Sequence, residues 1–288
     1  MAWTNFHGHC FYCDGKDSPE AYVLKAIELQ MPCYGFSSNS PVPFKSVWNM
    51  KARNVNKYIE HIRKLKEKYK SQIQLYCSME VDFVPDLMGP KNKIITDLKL
   101  DYTIGSIHYL DAFRNGQPWE IDGTHEVFKN GLQEIFHGDV KKAVQRFYEL
   151  TRTMVETEQP DVIGHLDKIK IQSESGTLFS EQDDWYRLEV LKTLDLIAKS
   201  SSIIEVNTRG IYQNKTTEPY PSWWILKEIY NRNIPIMLNS DAHDPNEIIS
   251  EFSKIALQLK QIGFQKLKIL YNYKWIDVAF SEHGILLN

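Results

Sequence analysis

The stretch Asn5-Phe6-His7-Gly8-His9 lies close to the start of the chain and decides how the rest is interpreted. In an extended strand alternate side chains share a face, so His7 and His9 point the same way, and Gly8 leaves room beside them. Two imidazoles at this spacing can chelate a metal ion. Two ligands are too few for a closed site, however, so a pair of histidines on a solvent-facing strand is the alternative.

A second strand-like run, Ile234-Pro-Ile-Met-Leu-Asn-Ser-Asp241-Ala-His243, ends in another pair of candidate ligands two residues apart. This pair consists of Asp241 and His243. Each pair alone leaves an ion incompletely coordinated, and together they supply four ligands. The two pairs therefore predict one shared metal site, built from the two ends of the chain.

The composition is that of a large globular domain. The chain has 288 residues, 42% of them hydrophobic, and shows no linker, low-complexity tract or internal repeat, so one domain over residues 1–288 is expected. A formal net charge of −3 gives no general basic field for a nucleic-acid backbone. The N-terminus lacks signal-peptide features, and no apolar run is long enough to span a bilayer. These features predict a cytoplasmic enzyme of small molecules, without nucleic-acid or membrane partners.

The chain has four cysteines, which are too few for a disulfide framework at this length. Cys10 and Cys13 form a C-x-x-C motif, which occurs in redox proteins and in zinc sites. A thioredoxin-like motif would begin a helix, whereas this one directly follows the metal-type histidines. The redox interpretation is therefore disfavoured.

Short apolar runs alternate with longer amphipathic segments along the chain. Ser18-Pro19 is typical of a helix start, with serine as the cap and proline at the first helical position. Besides the first strand, strands are predicted over residues 32–37, 72–82, 102–108, 161–165, 202–207, 234–239 and 268–271. Helices are predicted over residues 19–29, 51–70, 139–157, 180–199, 223–232 and 247–262. This alternation predicts parallel strands with right-handed crossovers, in a closed barrel or in an open doubly wound sheet.

The candidate ligands favour the barrel, because they recur at or just past the C-terminal ends of predicted strands. They are His7, His9, Glu80, His108, His165, Asp241 and His243. In a β/α barrel those ends meet at one mouth, where catalytic groups collect. No Gly-rich phosphate loop follows any strand, which removes the usual reason for an open nucleotide-binding sheet.

Each candidate taken alone has a structural alternative. A lone His108 or His165 is more often a hydrogen-bonded core histidine than a ligand, and Glu80 and Asp82 could be a solvated strand end. Their recurrence at corresponding places along the chain favours the metal site. The four other histidines fall in helical or loop positions and are interpreted as structural or exposed; they are His61, His125, His137 and His283.

Several of these motifs occur together in the order typical of one family. The segments are His-Gly-His followed by Asp14-Gly15, then Gly-Phe-Ser-Ser-Asn-Ser-Pro, Ser-Met-Glu-Val-Asp, Gly-Ser-Ile-His, Ile-Gly-His-Leu-Asp, Glu-Val-Asn-Thr-Arg-Gly and Asn-Ser-Asp-Ala-His. They resemble the motifs of the PHP (polymerase and histidinol phosphatase) superfamily, and within it the stand-alone histidinol-phosphate phosphatases, over about residues 3–275. The resemblance implies a distorted (β/α)7 barrel with two or three divalent ions at the C-terminal ends of the strands. It also implies hydrolysis of L-histidinol phosphate to L-histidinol and phosphate in histidine biosynthesis.

The same resemblance assigns metal ligands. It implies a first ion held by His7, His9, Glu80 and Asp241, with Glu80 bridging to a second ion that His108 and His165 also hold. Asp14 and His243 would help to hold a third. The family motif after the second strand usually ends in a histidine, and here that position is Asn39. Because an amide oxygen binds softer divalent ions less strongly than imidazole does, the third site is expected to be weaker, completed by water, or empty.

Histidines mixed with carboxylates suit Zn, Mn or Fe better than a Mg site made of oxygen ligands alone. A bridging carboxylate sets two ions roughly 3.5–4 Å apart, which lowers the pKa of a bound water and holds a hydroxide ready for in-line attack. Phosphorus is the expected target, and the ions would stabilise the charge on its oxygens. Asp241 or His243 could give the leaving alkoxide its proton.

Arg209 follows a predicted strand, so we expect it at the same mouth, where its planar fork matches a phosphate dianion. A surface ion pair is the alternative. The loop between His108 and Phe128 is a candidate lid. Three functions remain open: a metal-dependent phosphatase for histidinol phosphate, a nuclease or phosphoesterase for another ester, and a non-catalytic domain with a degenerate metal site.

Overall fold

A parallel sheet forms the centre of the fold. The computed structural model describes residues 2–287, apart from the side chains of residues 174–176. Its strands are β1 (Cys33–Phe36), β2 (Gln74–Asp82), β3 (Tyr102–Ser106), β4 (Tyr109–Ala112), β5 (Pro118–Glu120), β6 (Val162–Ile163), β7 (Ile203–Asn207), β8 (Ile236–Asn239), β9 (Lys266–Tyr271), β10 (Lys274–Ser281) and β11 (Gly284–Leu286). Six of them pair in parallel in the order β1-β2-β3-β6-β7-β8. Their side chains are almost all buried, as expected where both faces of a sheet are covered.

The N-terminal segment lies between the two edges of this sheet. Residues 5–9 form isolated parallel bridges, Asn5 with Tyr34 of β1 and Gly8 with Ala242 beyond β8, instead of the regular strand predicted for them. The His9 amide donates to the Ala242 carbonyl at 2.8 Å. Gly8 is needed here, because a Cβ at this position would lie 2.0 Å from the Tyr34 hydroxyl oxygen. The segment thus takes the seventh strand position and closes the sheet into a distorted barrel.

Helices cover the outside of the barrel. They are α1 (Pro19–Glu28), α2 (Val55–Tyr69), α3 (Lys93–Thr96), α4 (His125–Phe136), α5 (Val140–Thr157), α6 (Asp184–Ile197), α7 (Arg209–Tyr212), α8 (Trp223–Asn231) and α9 (Phe252–Ile262). Local sequence explains several of their ends: the Ser18 side chain caps α1 by accepting a hydrogen bond from the Ala21 amide, and Asp139 caps α5 in the same way. None of the helices within residues 2–287 is long and apolar enough to cross a membrane.

Some predicted elements differ from the structure. The predicted final strand, residues 268–271, belongs to a separate antiparallel sheet, β11-β10-β9, and does not join the parallel one. The candidate lid contains the hairpin β4–β5 and the start of α4, because Tyr109-Leu-Asp-Ala and Pro-Trp-Glu pair across the turn near Gly116. Helix α6 begins at Asp184, four residues after the predicted start at Ser180, since Asp183 occupies the N-cap position.

Candidate metal centre

Six of the predicted ligands meet at the C-terminal ends of the parallel strands. Glu80 is near the end of β2, His108 follows β3 and His165 follows β6. Asp241 follows β8. All six are between 0% and 4% exposed: His7, His9, Glu80, His108, His165 and Asp241. We call them the buried ligand set. Residues from both ends and the middle of the chain thus share one polar pocket inside the barrel, as the sequence predicted.

The first cluster consists of His7, His9 and Asp241. The Nε2 atom of His9 is 3.0 Å from Asp241 Oδ1, and His7 Nε2 is 3.7 Å from the same oxygen. The three candidate ligand atoms all lie within 4.8 Å of one another. Ligand atoms about 2.0–2.2 Å from a common ion stand at such separations, so this cluster has the dimensions of an ion site.

The second cluster consists of Glu80, His108 and His165, and its atoms also lie within 4.8 Å of one another. The two imidazoles face each other, with 3.1 Å between their Nε2 atoms. His165 Nε2 is 2.9 Å from Glu80 Oε1, and His108 Nε2 is 3.7 Å from it. Candidate ligands from three strands therefore meet at one point. They come from the end of β2 and from the segments after β3 and β6.

Glu80 joins the two clusters through its two oxygens. Oε1 faces the second cluster, whereas Oε2 lies 3.2 Å from His7 Nε2 and 3.5 Å from His9 Nε2 in the first. Ser106 fixes the orientation, since its hydroxyl donates to Oε1 at 2.6 Å. One oxygen per cluster is the geometry of a carboxylate that bridges two ions.

The buried ligand set fits divalent ions because two ring nitrogens that point into the pocket make no hydrogen bond to any residue that the structure describes. His7 Nε2 and His9 Nε2 are buried and have no hydrogen-bond partner among the described residues. Leaving such atoms unsatisfied costs free energy. The outward nitrogens are engaged: His7 Nδ1 lies 2.6 Å from Glu205 Oε1, and His108 Nδ1 lies 2.8 Å from Asp82 Oδ1. A carboxylate on Nδ1 holds the proton there and frees Nε2 for a metal, which is the usual arrangement around ligating histidines.

Glu205 and Asp82 were not predicted as site residues, yet both support the ligands. Glu205 is completely buried on β7 and also accepts hydrogen bonds from the side chains of Asn207 and Asn239, each at 3.0 Å. The second oxygen of Asp82 accepts from the Asn49 amide at 2.9 Å. The sequence could have revealed Glu205, because a carboxylate inside an apolar strand must have a polar partner.

The pKa values of both carboxyl groups in the buried ligand set, Glu80 and Asp241, are lowered. Burial alone would raise the pKa of Glu80, but His7 and His108 hold it well below its usual value. Burial likewise opposes ionisation of Asp241, whose pKa nevertheless lies well below normal because of His7, His9 and Arg209. Burial would lower the pKa of His108, and the neighbouring Glu80 and Asp82 carboxylates raise it to about 9. Protons thus compete with cations for these ligands.

Asp14 and His243, the remaining predicted ligands, lie at the edge of the pocket. His243 Nε2 is 3.2 Å from Asp14 Oδ2, and the ring stacks on that of His9 at a centroid distance of 4.1 Å. The amide nitrogen of Asn39 lies 3.1 Å from Asp14 Oδ1 and 3.1 Å from His9 Nδ1. We call Asp14, Asn39 and His243 the rim cluster.

A cleft of about 180 Å³ opens above the ligands. Six residues beyond the clusters line it, and we call them the cleft wall: Trp48, Glu120, Asp122, Lys168, Arg209 and Lys215. Arg209 is therefore at the mouth, as predicted, and its Nη1 donates to the Asp241 carbonyl at 2.9 Å. The nearest carboxylate to the Arg209 guanidinium belongs to Glu247 and is 4.0 Å away. This distance disfavours the alternative interpretation of Arg209 as part of a surface ion pair.

The other wall residues were not predicted individually. Lys168 pairs with Asp122 at 3.2 Å, and Glu120 ends the hairpin β4–β5. Trp48 stacks on Tyr109, with ring planes 7° apart. These residues sit on loops or hairpin ends, where sequence patterns do not reveal side-chain direction. The four histidines interpreted as structural or exposed do not line the cleft; His61, for example, is 3.2 Å from the Tyr12 hydroxyl oxygen.

Fold and centre together define a class: a parallel β/α barrel with a multi-ion histidine and carboxylate site at its mouth. The family described as PHP domain matches residues 5–209. The chain belongs to this family, which confirms the resemblance and the PHP-type barrel.

Individual proteins are also similar. A protein of Deinococcus radiodurans named "probable histidinol-phosphatase" is 26% identical over 260 residues, covering 89% of this chain and 92% of that protein. A structure from Listeria monocytogenes assigned as a histidinol phosphatase has a TM-score of 0.73 and 23% identity, covering 87% of this chain and 99% of that one. A histidinol phosphate phosphatase from Lactococcus lactis, solved with zinc, L-histidinol and phosphate, has a TM-score of 0.67, 18% identity and 99% coverage of both chains.

Proposed function

We propose that this protein is a metal-dependent phosphatase that hydrolyses L-histidinol phosphate to L-histidinol and phosphate. The observation that carries the proposal is Glu80, which directs one oxygen to each of two buried histidine clusters at the base of an open cleft. The name shared by the relatives supports the choice of substrate. One domain over residues 1–288 and a cytoplasmic location remain predictions.

The buried ligand set would hold two ions, with Zn, Mn or Fe suited to its mixture of imidazoles and carboxylates. When bound, such ions polarise phosphoryl oxygens and make a water molecule acidic enough to attack at neutral pH. The protein's part is to orient the ligands so that their Nε2 atoms and carboxylate oxygens face the ions. Glu205 and Asp82 do this through the Nδ1 atoms of His7 and His108.

The cationic side of the cleft wall would bind the phosphate. Arg209, Lys168 and Lys215 all line the cleft. Partial desolvation and the neighbouring Lys168 and Arg209 lower the pKa of Lys215 more than Asp122 and Asp241 raise it, so cations outweigh anions around this ammonium group. A phosphate dianion supplies the missing charge, and the planar guanidinium of Arg209 can hold two of its oxygens.

The acidic side would bind the organic half of the substrate. Glu120 is half-buried, and burial together with the nearby Asp122 raises its pKa. No Lys or Arg among the described residues pairs with it, and its contact is the Trp48 side chain. The amine or the protonated imidazole of histidinol phosphate is the cation that this carboxylate lacks, and the Trp48 ring offers a flat surface for the imidazole.

His243 is the better of the two proposed proton donors for the leaving alkoxide. Asp241 uses Oδ1 in the first cluster and accepts a hydrogen bond from Asn207 at 3.2 Å with Oδ2. His243 is more accessible, and its ring lies at the edge of the cleft between Asp14 and the Asp241 carbonyl. It can therefore reach the ester oxygen without leaving the ligand set incomplete.

The test is a phosphate-release screen on protein stripped with a chelator and resupplied with Mn or Zn. Phosphate release is compared for histidinol phosphate and phenyl phosphate, and cleavage of a dinucleotide to nucleoside and nucleotide is followed by chromatography. We expect no release without metal and a kcat/KM for histidinol phosphate at least tenfold above that for phenyl phosphate. Equal values for the two monoesters would reject the substrate, and preferential cleavage of the dinucleotide would reject the reaction class.

A further inference from the structure

The rim cluster looks like a third ion site but depends on a ligand that is already used. Together with His9, Asp14 and His243 form a group whose candidate ligand atoms all lie within 4.8 Å of one another. His9, however, also belongs to the first cluster, where its Nε2 is 3.0 Å from Asp241 Oδ1. A neutral imidazole offers one lone pair, so a ring that binds through Nε2 keeps its proton on Nδ1. His9 therefore cannot also ligate an ion in the rim cluster.

Without His9, the rim keeps two protein ligands, Asp14 and His243. Structural and catalytic sites for Zn-type ions use three or four. Besides His9, Asp14 and His243, the side chain of Asn39 also faces the position of a third ion. It is 3% exposed. Its position is fixed, because its backbone bridges to Glu80 and its carbonyl accepts from the Met50 amide at 3.2 Å.

The Asn39 amide occupies the place where a ligand would have to be. Its nitrogen donates to Asp14 Oδ1 at 3.1 Å and lies equally close to the outward nitrogen of the His9 ring. An N–H donor and a cation compete for the same carboxylate lone pair. His243 completes the arrangement at 3.2 Å from the other Asp14 oxygen. Both oxygens of Asp14 are thus engaged within the rim, whereas His7 Nε2 and His9 Nε2 make no hydrogen bond among the described residues.

We propose that this protein holds two resident divalent ions, and that the Asn39 amide closes the third position as part of a hydrogen-bonded rim cluster. Asn39 is then a positioning residue, which holds the Asp14 carboxylate. The inference rests on the metal centre of the proposed function. It does not depend on which ester is hydrolysed, because ions can be counted without substrate.

The experiment counts ions in the full-length protein. Stripped protein is loaded with Mn or Zn, passed through a desalting column and analysed by inductively coupled plasma mass spectrometry. We expect two ions per chain in the wild type, and two in Asn39→Ala and in Asp14→Asn, because neither residue holds a resident ion. His165→Ala serves as the control and should fall to about one, since it removes a ligand of the second cluster.

The substitution Asn39→His tests the inference in the opposite direction. An imidazole at this position gives Asp14 and His243 a third partner, so the count should rise from two to three. Three tightly held ions in the wild type would overturn the proposal, as would loss of one ion on Asp14→Asn. Should Asn39→His fail to fold, as judged by circular dichroism, the wild-type and Asp14→Asn counts still decide. Fewer than two ions in the wild type would instead reject the proposed function itself.

Discussion

The buried ligand set and the cleft wall differ in how their side chains are held. The ring of His7 is held at Nδ1 by Glu205, and its Nε2 atom lies 3.2 Å from Glu80 Oε2 inside the pocket. The side chains of the cleft wall are more exposed: that of Arg209 is 21% exposed, and that of Lys168, which pairs with Asp122, is 11% exposed. Strand ends therefore position the groups proposed to hold ions, whereas loops position those proposed to meet the ester. Changes in the first should alter metal content and kcat, and changes in the second should alter KM and substrate preference.

The largest effect is expected for Glu80→Gln, which breaks the buried ligand set at its bridge. An amide cannot supply two anionic oxygens to two ions, so we expect loss of at least one ion and a fall in kcat of roughly 10³-fold or more. Metal analysis and steady-state kinetics check this. Glu60→Gln on the exposed face of α2 is the matched control. Full metal content with normal turnover would remove Glu80 from the centre.

The next effect tests the support behind the ligands. In Glu205→Gln the amide can still contact Nδ1 of His7 but no longer carries the charge that favours a metal on Nε2. Loss of such outer partners typically weakens metal affinity or activity about 10–100-fold. Competition with a fluorescent chelator measures the affinity. If Glu205→Gln binds Zn as tightly as the wild type does, the contact between Glu205 and His7 is not what organises the pocket.

A smaller effect, of a different kind, is expected in the cleft wall. Arg209→Ala should raise KM for phosphate monoesters about tenfold or more while the two ions remain bound, because a charge-assisted contact to the phosphate is lost. Arg209→Lys should reverse only part of this rise in KM, since an ammonium group lacks the planar fork of the guanidinium. Arg146→Ala on the outer surface of α5 is the control. A change in metal content with KM unaltered would place Arg209 with the ligands instead.

The sequence was sufficient to predict that the six residues of the buried ligand set lie together, and insufficient to predict the residues of the cleft wall other than Arg209. His108 and His165 could be predicted because parallel strands carry whatever follows them to one mouth. Glu205 was overlooked although Ile203-Ile-Glu-Val places a carboxylate inside an apolar strand, where it must have a partner. Trp48 and Glu120 gave no such signal, because charged or aromatic residues in loops are usually solvated and their directions depend on distant packing.

The fold shows the same division. Helices α1 and α5 begin at side-chain caps, and the positions of α1, α5 and α8 agree with the predicted ranges within a few residues. The hairpin β4–β5 was taken for an irregular lid, since its two strands are only four and three residues long. Pairing between short strands depends on contacts that local periodicity does not contain. In the separate sheet, β9 was predicted as the strand over residues 268–271, whereas β10, β11 and their antiparallel pairing were not predicted.

The smallest effect, and the sharpest test of the wall, is expected for Glu120→Gln. This change keeps the shape of the side chain and its place beside Trp48 but removes the charge proposed to meet the cationic half of histidinol phosphate. One charge pair at a partly solvated site is worth about 1–1.5 kcal/mol, so KM for histidinol phosphate should rise about tenfold. Phenyl phosphate carries no cation, and its KM should stay the same. The ratio of the two kcat/KM values is therefore the measurement. An equal rise for both esters would mean that Glu120 only maintains the cleft, and selectivity would then have to arise elsewhere in the wall.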